Sequence, residues 1–150
     1  MKHQHISIFL ADDDDDDRDF FKDAIKELGA DFKLVMVDSG DKVIDHFNHK
    51  NPLPHFVFLD INMPVKNGIE CLKFIKEKHP GNNFHVIMLS TSLADKDIKQ
   101  SYNYGASIYI QKPGNFSHLV TYLEYCLHEL DFSRDPDRFI LNQRLSKLVG

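Results

Sequence analysis

Five short β-rich runs separated by helical patterns constrain this chain more than any other feature. The runs are Ile6–Ala11, Phe32–Val37, His55–Leu59, Phe84–Leu89 and Ser107–Gln111, and three of them are nearly continuous apolar stretches. Such stretches suit strands buried on both faces of a parallel sheet. Between them, apolar residues recur at helical spacing. Phe20, Phe21, Ala24, Ile25 and Leu28 make one face of a helix that Gly29 ends. Val43, Ile44 and Phe47 mark a second helix, closed by Asn51-Pro52-Leu53-Pro54, and Ile69, Leu72, Phe74 and Ile75 a third, ended by His79-Pro80-Gly81. The segment from Asp95 to about Tyr104 is weakly apolar and reads as a more exposed fourth helix. Leu119, Tyr122, Leu123, Cys126, Leu127 and Leu130 form a strong fifth. Parallel neighbours joined by helices need right-handed crossovers. The pattern therefore predicts an α/β fold with a doubly wound, five-stranded parallel sheet.

A length of 150 residues suits one domain with a single core. The net charge of -5 argues against a nucleic-acid surface. No apolar run is long enough to span a membrane. Met1-Lys2-His3-Gln4-His5 enters the first run almost at once, without the apolar region of a signal peptide. Cys71 and Cys126 fit no metal-binding spacing, so the expectation is a cytoplasmic protein with two reduced thiols.

In a doubly wound sheet the strands all end at the edge where ligands bind. Strand one is followed by Asp12 and Asp13, strand three by Asp60, strand four by Ser90 and Thr91, and strand five by Lys112-Pro113. Three converging carboxylates cannot all stay ionised without a counter-charge. A hard divalent cation resolves the conflict, and Mg2+ suits a site of one or two carboxylates completed by backbone oxygen and water. One aspartate can then act as nucleophile toward a phosphoryl group, with an ammonium and a hydroxyl meeting the phosphoryl oxygens. Read from the residues, the chemistry is Mg2+-dependent phosphoryl transfer to Asp60, with Lys112 and Ser90 in those two supporting roles.

The segments FLADDDDDDR, FLDINMPVKNG, VIMLSTS and YIQKPG, in this order and each at a strand end, resemble the receiver domains of two-component response regulators. The resemblance covers roughly residues 5 to 130. It implies a flavodoxin-like sheet of order 2-1-3-4-5 with five helices, a receiver domain over 1–130 and a helical extension over 131–150. It makes Asp60 the phospho-acceptor, Asp13 a direct Mg2+ ligand, Asp12 a ligand through water and the Asn62 backbone carbonyl a further ligand. Ser90 and Lys112 match the hydroxyl and lysine that meet the phosphoryl group, joined to Pro113 by a cis bond. Tyr109 matches an aromatic that turns inward when the hydroxyl residue moves, reshaping the face of helix 4, strand 5 and helix 5. Asn62 and Ser92 match positions that set the rate of self-dephosphorylation. The implied partners are a sensor histidine kinase, of hybrid or photoreceptor type, and a downstream protein, with neither nucleic acid nor membrane.

The same residues admit other readings. Asp15 to Asp17 read as helix N-terminal acids and surface charge, favoured by the macrodipole. An EF-hand over the aspartate run fails, because loop position six is Asp17 rather than glycine and position eight is Asp19 rather than apolar. His46 and His49, three apart with no third ligand, read as a solvated helix face. A phosphatase of the haloacid-dehalogenase type would want an acid two residues after the nucleophile, where Asn62 stands. A degenerate receiver that only binds would not need Asp12, Asp13, Asp60, Ser90 and Lys112 together. In the tail, Asp135-Pro136 reads as the N-cap and first residue of a last helix. Its stripe of Leu141, Leu145, Leu148 and Val149 either packs on its own domain or makes a homodimer or partner contact. Twenty residues are too few for an output domain, so the expectation is a stand-alone receiver.

Overall fold

The computed structural model describes residues 5–29, 31–81, 83–129, 132 and 135–149, with 129 and 146–149 described by backbone alone. Its elements run β1 (Ile6–Ala11), α1 (Asp15–Leu28), β2 (Phe32–Val37), α2 (Gly40–Asn48), β3 (Phe56–Leu59), α3 (Gly68–Lys78), β4 (His85–Ser90), α4 (Asp95–Asn103), β5 (Ile108–Gln111), α5 (Phe116–Glu124) and α6 (Leu141–Val149). The five strands are parallel in the order β2-β1-β3-β4-β5. The predicted flavodoxin-like architecture is the one observed, with strand ends within one residue of those read from the sequence.

The continuous apolar runs follow from cover on both faces. Along β1, Ile8 and Leu10 point to one side and Phe9 and Ala11 to the other, as the two-residue period of a strand requires. Phe9, Val57, Leu59 and Met88 pack with Val43, Phe47, Leu72 and Ile75 of α2 and α3. Ile8, Leu10, Phe58 and Ile87 pack with Phe21 and Ile25 of α1 and Leu119 and Leu123 of α5. β2 forms one edge of the sheet, and there Lys33 and Val35 face outward. Among the described residues no helix is long and apolar enough to cross a membrane.

The chain after α5 departs from expectation. The fifth helix widens into a π turn at Tyr125–Glu129, and Leu130 lies outside the described residues. Asp135 caps only a single 3-10 turn, Pro136–Arg138, and the last helix begins later, at Leu141. The reason is a strand-like step between them: Ile140 bridges Tyr109 in parallel, and Tyr109 N donates to Phe139 O at 2.9 Å. That extended step cannot be part of one continuous helix. Of the stripe on α6, Leu141 and Leu145 are buried in the chain's own core beside α5, while the side chains of Leu148 and Val149 lie outside the described residues. For the described part of the tail, packing on its own domain is the reading the structure supports.

Candidate functional site

The register places the site. Ala11 is level with Val37 and Leu59, and Leu59 with Met88, so β1, β3 and β4 end at one edge. Asp12 leaves β1 buried, with its N–H donating to Val37 O at 3.1 Å, its carbonyl accepting from Arg18 Nη1 at 2.7 Å and its Oδ1 accepting from Asp14 N at 3.0 Å. Asp60 leaves β3 in the same way: its N–H donates to Ala11 O at 2.9 Å and its Oδ1 accepts from Asn62 N at 3.3 Å. Asp13 is exposed at the mouth. Asp12, Asp13 and Asp60 each offer a carboxylate oxygen within 4.8 Å of the others.

The loop after Asp60 is held tightly. Gly68 N donates to Ile61 O at 2.9 Å, and a Cβ on Gly68 would stand 2.1 Å from Asp60 O. The glycine is therefore required by the close approach of α3 to the Asp60 backbone, more than by freedom to turn. Val65, exposed at the loop tip, takes a φ of 66°, the left-handed region that β-branched residues disfavour.

Lys112 anchors its backbone to β4 by donating to Ser90 O at 2.8 Å. Its ammonium reaches Asp12 Oδ2 at 2.7 Å, Asp17 Oδ2 at 2.8 Å and Asp60 Oδ2 at 3.2 Å. Burial alone would push the ammonium down. The bonds to Asp12 and Asp17 and the field of Asp60 outweigh it and hold Lys112 above the ordinary lysine value. Burial is also the largest influence on Asp12, lifting it to about 6 despite the Lys112 bond that pulls the other way. The Lys112–Pro113 bond is trans rather than cis, as are all described peptide bonds. The two forms of such a bond differ by only about 0.5–1 kcal/mol, and the trans backbone already delivers the ammonium to all three carboxylates.

Ser90 is fully buried at the end of β4, and its Oγ accepts from Ser92 N at 3.2 Å. Ser92 Oγ donates to Asp97 Oδ2 at 2.6 Å, fixing the start of α4. The Tyr109 hydroxyl donates to Ser92 O at 2.6 Å, and its ring is wholly buried with Phe139 6.2 Å away. Burial raises Tyr109 above the ordinary phenol value. Ser90, Ser92 and Tyr109 are thus linked by consecutive hydrogen bonds behind the acidic edge. The His46 ring packs against Phe9 at 4.6 Å, tilted by 40°, and His49 belongs to no group of three metal-ligating side chains among the described residues.

Asp17, which with Asp15 and Asp16 reads from the sequence as surface charge, is part of the site. Asp14 is the cap of α1, with Oδ1 accepting from Asp17 N at 3.0 Å, whereas the Asp17 carboxylate turns inward to Lys112. A signal for this was present: Asp17 stands four residues before the buried Phe21, on the extension of the same inward stripe.

The model of the response regulator receiver domain matches residues 8–124. The chain belongs to the response regulator receiver family. This receiver domain is 27% identical over 143 residues to the DNA-binding transcriptional regulator NtrC of Klebsiella pneumoniae, covering 95% of the chain but 29% of that relative. It is 26% identical over 117 residues to the response regulator Rcp1 of Synechocystis sp., covering 75% of the chain and 80% of Rcp1. Among solved structures it resembles the phosphorylated cyanobacterial phytochrome response regulator RcpA, at a TM-score of 0.76 and 28% identity, covering 85% of this chain and 97% of that one. Receiver domains are signalling phospho-acceptors rather than classical enzymes, and the receiver domain described here has the acidic cluster at the expected sheet edge.

Proposed function

We propose that this receiver domain accepts a phosphoryl group from the phosphohistidine of a sensor kinase, or from a small acyl phosphate, onto Asp60. The observation that carries the reading is the junction of two arrangements at one sheet edge. Asp12, Asp13 and Asp60 lie within 4.8 Å of one another, and the Lys112 ammonium is bonded to two of them.

The donor set fits Mg2+: three hard carboxylate oxygens, two from buried residues and one from an exposed one, leave room for water on the open side. Asp13 and Asp60 would hold the ion directly, Asp12 through water, and Asn62 through its backbone carbonyl. When bound, Mg2+ neutralises charge on the transferring phosphoryl oxygens. Asp60 is the nucleophile, its Oδ1 oriented by the Asn62 N–H at 3.3 Å. Lys112 exchanges its bond to Asp60 Oδ2 for a phosphoryl oxygen, supplying a fixed positive charge where negative charge gathers. The Ser90 hydroxyl donates to another phosphoryl oxygen. Because Ser92 N is bonded to Ser90 Oγ and Tyr109 to Ser92 O, a shift of Ser90 is passed to Tyr109 and to the face of α4, β5 and α5.

The partners in this reading are a histidine kinase, of the hybrid or photoreceptor type by the relatedness to a phytochrome response regulator, and a downstream protein that reads that face. The setting is the cytoplasm, and residues 1–130 act as the receiver with 131–150 as its extension. Incubation with acetyl phosphate and Mg2+ followed by intact-mass measurement tests the reading. One phosphoryl adduct, lost on Asp60→Asn, is expected. An absent adduct, or one that survives Asp60→Asn, overturns it.

A further inference from the structure

Asp17 belongs to neither the metal-ligand set nor the phosphoryl-binding set, yet its carboxylate lies 2.8 Å from the Lys112 ammonium. A lysine has three N–H donors, and the contacts to Asp12, Asp17 and Asp60 use all three. Among the described residues the ammonium has no ion pair with Asp13, the remaining member of the carboxylate triad. The arrangement is lopsided: the ammonium lies against α1 and the start of α5, where Asp17, Phe20, Phe21, Pro113 and Leu119 line a small cleft.

We propose that Asp17 is a positioning residue that draws the Lys112 ammonium toward α1 and so limits how far it enters the space among Asp12, Asp13 and Asp60 where a divalent cation binds. The proposal rests on the cation reading given above. Without the Asp17 carboxylate, one N–H of the ammonium loses its partner in a half-buried site. The acceptors that remain to it are Asp12 and Asp60, so Lys112 becomes a stronger internal competitor for the cation. Asp17 therefore acts through Lys112 and not by touching the ion.

Isothermal titration of the full chain with MgCl2 at fixed ionic strength tests this, with circular dichroism to confirm that each variant is folded. Asp17→Asn is expected to weaken Mg2+ binding on the order of tenfold, the worth of one charge-assisted hydrogen bond. Asp16→Asn removes the same charge from an exposed position on the same helix and should change affinity by less than about twofold. Asp17→Glu, which keeps the carboxylate, should restore most of the affinity. In a Lys112→Ala background Asp17→Asn should have an effect below about twofold, because the group it positions is gone. An unchanged affinity in Asp17→Asn overturns the proposal. So does an equal loss with and without Lys112, which would place Asp17 on the cation itself. Absence of Mg2+ binding in the unmodified chain overturns the cation reading, and the role of Asp17 with it, before any variant is compared.

Discussion

Asn142 treats Gln111 as a neighbouring strand would. Its Oδ1 accepts from Gln111 N at 2.8 Å and its Nδ2 donates to Gln111 O at 3.0 Å, so one side-chain amide completes the ladder at the open edge of β5. Two residues earlier on β5, Tyr109 N is satisfied by Phe139 O. The edge opposite β2 is thereby closed by the chain's own tail, which removes a row of unpaired groups that would otherwise template pairing with another chain. Asn142→Ala leaves both Gln111 backbone groups without that partner and should destabilise the fold by about 1–3 kcal/mol in urea melts. A loss under about 0.5 kcal/mol would mean that water replaces the amide at no cost.

Burial lifts Asp12 from 3.8 to about 6. Between those values the folded chain keeps a proton that the unfolded chain has released, so this group's contribution to stability is full below the lower value and declines as pH rises through the higher one. The whole displacement corresponds to about 3 kcal/mol at most. Asp12→Asn keeps the shape and carries no charge. In cation-free urea melts its advantage over the unmodified chain should grow from near zero at about pH 3.5 to about 1–3 kcal/mol at pH 7. A difference that stays constant with pH would contradict this account.

The six consecutive aspartates divide by position. Asp13→Ala should abolish Mg2+-dependent labelling by acetyl phosphate, since it removes a member of the carboxylate triad. Asp16→Ala, exposed on the first turn of α1, should label within about twofold of the unmodified chain. Intact mass against time reads both, and equal losses would undo the division.

The loop after Asp60 offers two substitutions of opposite sign. Gly68→Ala drives a methyl to within 2.1 Å of the Asp60 carbonyl and must shift the backbone. It should destabilise by about 1–3 kcal/mol and weaken Mg2+ binding together. Val65→Gly relieves a β-branched residue at a φ of 66° and should stabilise by about 1 kcal/mol or less, the gain being offset in part by glycine entropy. Thermal melts of the two variants check the signs. Stabilisation by Gly68→Ala would show that the contact of α3 with Asp60 is not tight.

Periodicity was enough for most of the architecture, because a strand covered on both faces and a helix covered on one leave different marks on a sequence. Ile8, Phe9, Leu10 and Ala11 in unbroken succession imply a sheet between two layers, and the five strand ends fall within one residue of their expected positions. The order of acids, hydroxyl and amine after successive strands likewise brought Asp12, Asp60, Ser90 and Lys112 to one edge, because a parallel sheet sends all its C-terminal ends the same way. The last helix starts later than its local signal implies. Asp135-Pro136 is a sound local signal, but it governs only one turn before Phe139 and Ile140 are drawn alongside Tyr109.

The sequence by itself determined the layers, the strand order implied by its motifs and which strand ends carry chemistry, since these depend on residue types at local spacings. Only the tertiary structure decided which of the neighbouring acids takes the third bond of Lys112, and that the tail folds back to close β5. Asp15, Asp16 and Asp17 are identical as side chains and differ only in the direction each takes around the first turn of α1. That direction acquires meaning once residue 112, from the far end of the chain, is packed against it at 2.8 Å.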